Sequence, residues 1–249
     1  MLEVARKNVI REQLRQSGSV QITALSEQLG VTKETIRRDL RAMEENGELT
    51  RTHGGAYIID GVHNDIDIST RQFIRTDEKE IVARKCSSLI NNGDYIYLDA
   101  STTTFFIAKA VMHRKITVLT TSLEIINLLS TSDVKLFVVG GEYNKATNSF
   151  TGASAIQNLK QYHFDKSFIS SRSVSMDAGL TDTNDGDAML HQIALDHAYE
   201  KYLAIDNTKL NRYSFSCVAP VSSLTGIIMD CDFPEDWVKF LNGAGVKFF

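Results

Sequence analysis

The chain has 249 residues, 23% of them charged, and a formal net charge of −4. That length suits one small domain plus one of ordinary size, and the acidic balance excludes a protein that coats polyanions indiscriminately. Residues 1–56 hold nine Lys/Arg against eight Asp/Glu, a balance of +1 that leaves −5 on the remainder, so any contact with a polyanion must be a local patch. Three widely separated cysteines, Cys86, Cys217 and Cys231, give neither a disulfide framework nor a zinc spacing, and no cofactor is indicated. No apolar run approaches the roughly 18 residues a membrane helix needs, and the N-terminus has no signal-peptide core. The expectation is a soluble, cytoplasmic protein with no membrane partner.

In chain order, residues 4–16 carry Val4, Ile10 and Leu14 among charged residues and read as a first helix, ended by Ser17-Gly18-Ser19. Ile22, Leu25 and Leu29 mark a second, stopped by Gly30 where a positive φ is wanted. Thr32 then caps a third helix, with Glu34 in the first turn where the dipole favours an acid. Its Ile36, Leu40 and Met43 form an apolar stripe at i, i+4 and i+7, while Glu34, Arg37, Arg38 and Arg41 project from the other side. Alone, that charged side would read as a solvated face. Preceded by a helix and a glycine turn, it makes a helix-turn-helix, whose second helix enters the major groove. Thr32, Lys33, Thr35, Arg37, Arg38 and Arg41 are the expected DNA contacts, since arginine matches guanine O6 and N7 with two hydrogen bonds. Residues 47–57 look like two short strands around a turn, a wing with Arg51 and His53 near its tip, placed for phosphates or the minor groove.

The run Leu29-Gly30-Val31-Thr32-Lys33-Glu34-Thr35-Ile36-Arg37-Arg38-Asp39-Leu40, with Arg51-Thr52-His53-Gly54-Gly55-Ala56 after it, closely resembles the DNA-binding domain of the DeoR family of bacterial transcriptional regulators. The resemblance implies sequence-specific binding to a double-stranded operator, usually repression, under the control of a sugar phosphate or related metabolite.

Residues 59–75 mix Gly61, Asn64, Asp65 and Asp67 with scattered isoleucines and read as a linker between a winged helix-turn-helix domain at 1–58 and an effector domain at 76–249. From Thr76 the texture changes. A helix beginning there is broken by Asn92-Gly93; strands are expected at 95–98, 116–119, 134–139, 166–170, 202–205 and 226–229, with helices at 105–112, 123–129 and 234–241 among those between and after them. Short strands alternating with helices point to an α/β fold, a doubly wound, mostly parallel sheet, in which ligands bind beyond the carboxyl ends of the strands.

Polar residues gather at those ends. Asp99-Ala100-Ser101-Thr102-Thr103-Thr104 offers an acid and four hydroxyls between a strand and a helix start. Backbone N–H groups and hydroxyls converging there would hold a phosphate, with Asp99 accepting from sugar hydroxyls; the plainer alternative is that Ser101 or Thr102 only caps the next helix. Thr121 and Ser122 follow the next strand, Gly140-Gly141 the one after, and Asp206-Asn207-Thr208-Lys209 a later one, where Lys209 could supply positive charge. Thr183-Asn184-Asp185-Gly186-Asp187 lacks the full series of a calcium loop and reads as a helix start.

This region is similar to the DeoR effector domain, whose fold resembles sugar-phosphate isomerases of the ribose-5-phosphate isomerase kind. The matching pieces run from Asp99 to Thr104 and include Thr120-Thr121-Ser122, Gly140-Gly141, Thr151-Gly152, Phe164-Asp165-Lys166, Gly179-Leu180-Thr181 and Asp206 to Lys209. The resemblance implies a small phosphorylated sugar as effector. Asp99, Ser101, Thr102, Thr103, Thr104, Thr121, Ser122, Gly140, Gly141, Gly152, Arg172 and Lys209 are the expected contacts. Two departures stand out: Ser171-Arg172-Ser173-Val174 replaces the usual glycine-rich acidic turn, and His191 stands where many members carry lysine. A rival reading is an isomerase with an appended DNA-binding domain, for which Asp99 is the obvious candidate base. Helix-turn-helix proteins pair on two half-sites, so a homodimer or homotetramer is expected.

Overall fold

The computed structural model describes residues 2–46, 48–57 and 68–249, in two compact units, Met1–Thr76 and Asp77–Phe249. In the first unit, α1 (Glu3–Ser17), α2 (Ile22–Leu29) and α3 (Lys33–Glu45) pack Ile10, Leu14, Ile22, Leu25, Ile36, Leu40 and Met43 into one core. Gly18 and Gly30 end the first two helices in the left-handed region, at φ 70° and 62°. Val4, expected on the apolar side of α1, is 71% exposed, and the inward position is taken instead by Arg6. Arg6 and Asp39 of α3 form a buried two-pronged ion pair, Nε–Oδ2 2.6 Å and Nη2–Oδ1 2.9 Å.

The wing has three strands, one more than expected. Residues after Gly18 form β1 (Ser19–Gln21), which pairs with β3 (Gly55–Tyr57), and β2 (Thr50–Arg51) pairs with β3 on its other side. A Cβ on Gly55 would lie 1.9 Å from the Val20 carbonyl oxygen, so only glycine allows this pairing. The expected linker lies outside the described residues up to 67. Beyond that, α4 (Ile68–Arg71) touches β1 and β3 and the Phe73 ring lies against Gly54, so this part folds onto the first unit.

The second unit is built on a seven-stranded, wholly parallel sheet. After α5 (Thr76–Ser88) come β4 (Tyr95–Leu98), α6 (Thr102–Val111), β5 (Thr117–Thr120), α7 (Leu123–Leu129) and β6 (Lys135–Val138). A hairpin, β7 (Glu142–Asn144) and β8 (Ser149–Thr151), leads to α8 (Gly152–Leu159) and β9 (Phe164–Ile169). Then follow β10 (Ser173–Ser175), β11 (Gly179–Asp182), α9 (Asp185–Asp196), β12 (Ala198–Ile205), β13 (Ser216–Ala219), β14 (Gly226–Met229), α10 (Glu235–Ala244) and β15 (Lys247–Phe248). The main order is β15-β14-β12-β9-β4-β5-β6, and β10-β11-β13 form a separate antiparallel sheet.

Alternation within each strand divides the core in two. Ile96, Leu98, Val118, Phe168 and Ile228 face Val82, Cys86, Ile107 and Ile125 of α5, α6 and α7; Tyr97, Leu119, Ile169, Leu203 and Ile227 face α8, α9, α10 and the small sheet. Both faces are covered, as a doubly wound sheet requires. Chain order reverses between β4 and β9, which places the crevice of the fold beyond Leu98 and Ile169.

Removing one partner of a buried ion pair leaves the other charge stranded. Asp39→Ala should therefore cost the N-terminal domain about 3 kcal/mol, read as a lower urea midpoint, even though residue 39 lies inside the expected recognition sequence.

Candidate DNA interface and effector crevice

In α3 the 3.6-residue period turns Ile36, Asp39, Leu40 and Met43 inward and leaves Lys33, Glu34, Arg37, Arg38 and Arg41 exposed. Thr32 caps the helix, its Oγ1 accepting from the Thr35 N–H at 3.2 Å, and Thr35 itself is half-buried. Arg37 makes a solvent-exposed pair with Glu34, Nη1–Oε2 3.2 Å, while Lys33, Arg38 and Arg41 have no ion-pair partner among the described residues. The expected reading face is thus an open cationic strip.

The wing's two expected contacts separate. His53 is exposed at the tip. Arg51 is half-buried and engaged elsewhere: its Nε donates to Glu44 Oε2 at 2.7 Å and its backbone N–H to Glu44 Oε1 at 2.8 Å. The hydrogen bonds from Arg51 hold the Glu44 carboxyl below its usual range. Arg51, expected to touch DNA, here pins the wing to the end of α3.

At the crevice of the sheet Asp99 is 1% exposed, and its carboxylate is filled by protein. Oδ1 accepts from the Ser101 N–H at 2.8 Å and the Thr104 hydroxyl at 2.7 Å; Oδ2 accepts from the Ser170 N–H at 2.6 Å and lies 3.1 Å from His191 Nε2. Four partners match the roughly four acceptor positions of a carboxylate. Asp99, expected to receive sugar hydroxyls, instead ties the ends of β4 and β9 to α9. His191, 8% exposed, continues the chain through Nδ1 to Asp182 Oδ2 at 2.8 Å, and Asp182 Oδ1 accepts the Arg172 backbone N–H at 2.8 Å. Burial alone would lower the His191 pKa, but Asp182 and Asp99 together raise it well above the usual histidine range. Burial would likewise raise Asp99, yet the bonds from His191, Ser170 and Thr104 keep it low.

The hydroxyl cluster is mostly internal. Ser101 caps α6, accepting the Thr104 N–H at 3.1 Å, so the helix begins at Thr102 and Thr102, Thr103 and Thr104 are all buried in its first turn. Thr121 is buried and its carbonyl accepts from Phe150; Ser122 caps α7. Gly140 is exposed with open space where a Cβ would stand, whereas at Gly141 a Cβ would lie 2.4 Å from the Thr151 oxygen. Gly141's close approach is therefore to β8 and α8. Gly152 has φ +83° and opens α8. Lys209 is half-buried in a short 3-10 turn capped by Asp206, which follows β12, a strand separated from β4 by β9 in the sheet. Asp165 and Lys166 lie at the opposite ends of the strands, Asp165 accepting from the Tyr95 N–H and Lys166 pairing with Asp94 at 2.5 Å. The cluster centred on His191 includes Asp182, which no local spacing marks, and Asn184 caps α9 as the helix-start reading expects.

Comparison with known proteins follows the same division. The "DeoR-like helix-turn-helix domain" profile matches residues 6–62 and the "DeoR C terminal sensor domain" profile residues 74–231. The chain belongs to the DeoR family of transcriptional regulators. Among its relatives, the "Lactose phosphotransferase system repressor" of Staphylococcus aureus is 32% identical over 92% of this chain and 93% of its own length. The "Putative aga operon transcriptional repressor" of Escherichia coli O157:H7 is 32% identical over 97% and 91% respectively. A regulator of Bacillus subtilis, "Uncharacterized HTH-type transcriptional regulator YulB", is 32% identical over 99% and 96%. Among solved structures, ribose 5-phosphate isomerase A of Methanocaldococcus jannaschii is similar at 19% identity over 54% of each chain, with a TM-score of 0.41. No helix among the described residues is long and apolar enough to cross a membrane.

Two measurements probe this DeoR-family chain. If Arg51 acts by pinning the wing, Glu44→Ala and Arg51→Ala should weaken DNA binding alike; tighter binding by Glu44→Ala would mean that Arg51, once released, contacts phosphate. For His191, the folded state holds its proton more tightly than the unfolded chain. Its stabilisation is therefore full below the unfolded value of about 6.5 and fades as pH rises through the higher folded value. Urea titrations should show His191→Gln less stable by roughly 3 kcal/mol near neutrality, since two buried aspartates lose their counter-charge, with the deficit shrinking toward alkaline pH.

Proposed function

We propose that the protein represses a carbohydrate-utilisation operon, binding its operator through α3 and the wing, with affinity set by a phosphorylated sugar held at the strand ends of the second unit. The exposed Lys33, Arg37, Arg38 and Arg41 on a helix whose other face is fully packed carry the DNA half of this reading. The family membership supports it, and the sugar-operon repressors among the relatives supply the choice of target. The effector half is supported by the match to a sensor domain and by the hydrogen-bonded crevice at the point where strand order reverses. Ser101, Arg172 and Lys209, all half-buried rather than sealed, are its accessible polar groups. The rest of the expected contact set, Thr102 to Thr104, Thr121 and Ser122 among it, would act by shaping the loops. DNA reading needs two half-sites, so a homo-oligomer is part of the proposal.

The isomerase alternative requires a carboxylate free to take a carbon-bound proton. Asp99 has all its acceptor positions occupied, which favours a binding crevice over a catalytic one.

Selection from a random duplex library, followed by anisotropy titration of the enriched sequence, tests both halves. An enriched sequence is expected, with Arg37→Ala and Arg38→Ala each losing roughly 1–3 kcal/mol and relaxing specificity. A panel of sugar phosphates should contain at least one that shifts the titration. Failure to enrich any sequence would remove the DNA half, and a panel with no effect would remove the effector half.

A further inference from the structure

The reading face of α3 carries an acid among its cations. At about 100° per residue, the buried Ile36, Asp39, Leu40 and Met43 define one direction, and Glu34 points within about 10° of the opposite one. Arg38 and Arg41 lie about 30° to either side of that line, and Arg37 about 70° from it. Glu34 is therefore the most outward residue of the first turn, and its side chain is 78% exposed. Capping does not account for it. Thr32 accepts the Thr35 N–H, and the position of a capping-box acid, three residues after the cap, belongs to Thr35. Among the described residues the Glu34 carboxylate has Arg37 as its polar partner, Nη1–Oε2 3.2 Å, which leaves Oε1 without a hydrogen bond.

When such a helix enters a major groove, its early residues opposite the packed face meet base edges. An acid at that place is repelled by the phosphates and loses its water, so it is compatible with docking where a base donates to it. The major-groove edge has two such donors, cytosine N4–H and adenine N6–H. Adenine N6 is flanked by acceptors on both sides, its own N7 and the O4 of the paired thymine. Cytosine N4 has an acceptor on one side alone, the O6 of the paired guanine. A carboxylate is thus best matched to cytosine, and thymine or guanine in its place would set acceptor against acceptor.

We infer, resting on the proposed docking of α3 in the operator, that Glu34 is a base-reading residue whose carboxylate accepts from the N4 amino group of a cytosine. The Arg37 guanidinium beside it offsets its charge against the phosphates. Arg38, one turn further and about 6 Å along the axis, then reaches a base pair about two steps away. On this face the cations supply attraction to any duplex, and the acid supplies rejection of the wrong one.

Selection from a random duplex library with wild type, Glu34→Gln and Glu34→Ala, each verified as folded by circular dichroism, tests this. Wild type is expected to enrich a half-site with one pair fixed as C·G, and changing that pair to T·A should weaken its binding roughly 5- to 30-fold in competition titrations. In Glu34→Ala the preference at this pair should disappear while the other positions keep theirs. Glu34→Gln should accept adenine there, since its amide matches adenine N6 and N7. The affected pair should lie within about two steps of the one that Arg38→Ala relaxes. Either Glu34 variant keeping the wild-type profile, a relaxed pair that is not C·G, or a uniform loss over all sequences would overturn the assignment and leave DNA binding by α3 in place. A folded wild type that enriches no sequence would remove the DNA reading itself, and the role of Glu34 with it.

Discussion

The sensor unit depends on one buried carboxylate. Asp99 sits where the parallel sheet changes direction, the place at which such sheets leave a crevice, and there it gathers the Ser101 and Ser170 backbones, the Thr104 hydroxyl and the His191 ring. A buried carboxylate without partners would be costly, and with four it becomes a tie among β4, β9 and α9. Since His191 extends that tie to Asp182 on β11, the main sheet and the small sheet meet through an Asp–His–Asp chain. Anything that enters the crevice and moves one of these elements must act on all of them.

The first unit is arranged on a similar principle, a buried ionic contact that fixes a surface. Arg6 and Asp39 lock α1 to α3, and Glu44 with Arg51 locks the wing to the far end of α3. The cations that remain exposed on α3 are then displayed from a helix whose rotation about its axis is determined. Hydrophobic packing alone leaves a short helix some freedom to roll, and a two-pronged guanidinium–carboxylate pair removes it.

The parts of this fold legible in the sequence are those where one element's pattern carries its own information. The stripe Ile36, Leu40 and Met43, the stop at Gly30, the cap at Thr32 and the strand–helix alternation after Thr76 all follow from local periodicity and capping chemistry. What local patterns could not give were pairings over long separations: Arg6 with Asp39, Asp99 with His191, and β1 with β3. The small sheet was missed because strands of three or four residues are too short to show alternation. The hydroxyl run after Leu98 reads equally as a ligand cradle or a helix cap, because a serine or threonine that caps a helix and one that binds an anion present the same residue types. Only burial separates the two, and it turns most of these hydroxyls inward.

The buried Asp39 lies between the exposed Arg38 and the buried Leu40, so the sequence of α3 interleaves two kinds of position. Residues 33, 37, 38 and 41 can vary without disturbing the core; residues 36, 39, 40 and 43 cannot. The outward set can therefore be exchanged without touching the packed one, so the helix keeps its changeable surface and its framework on separate residues.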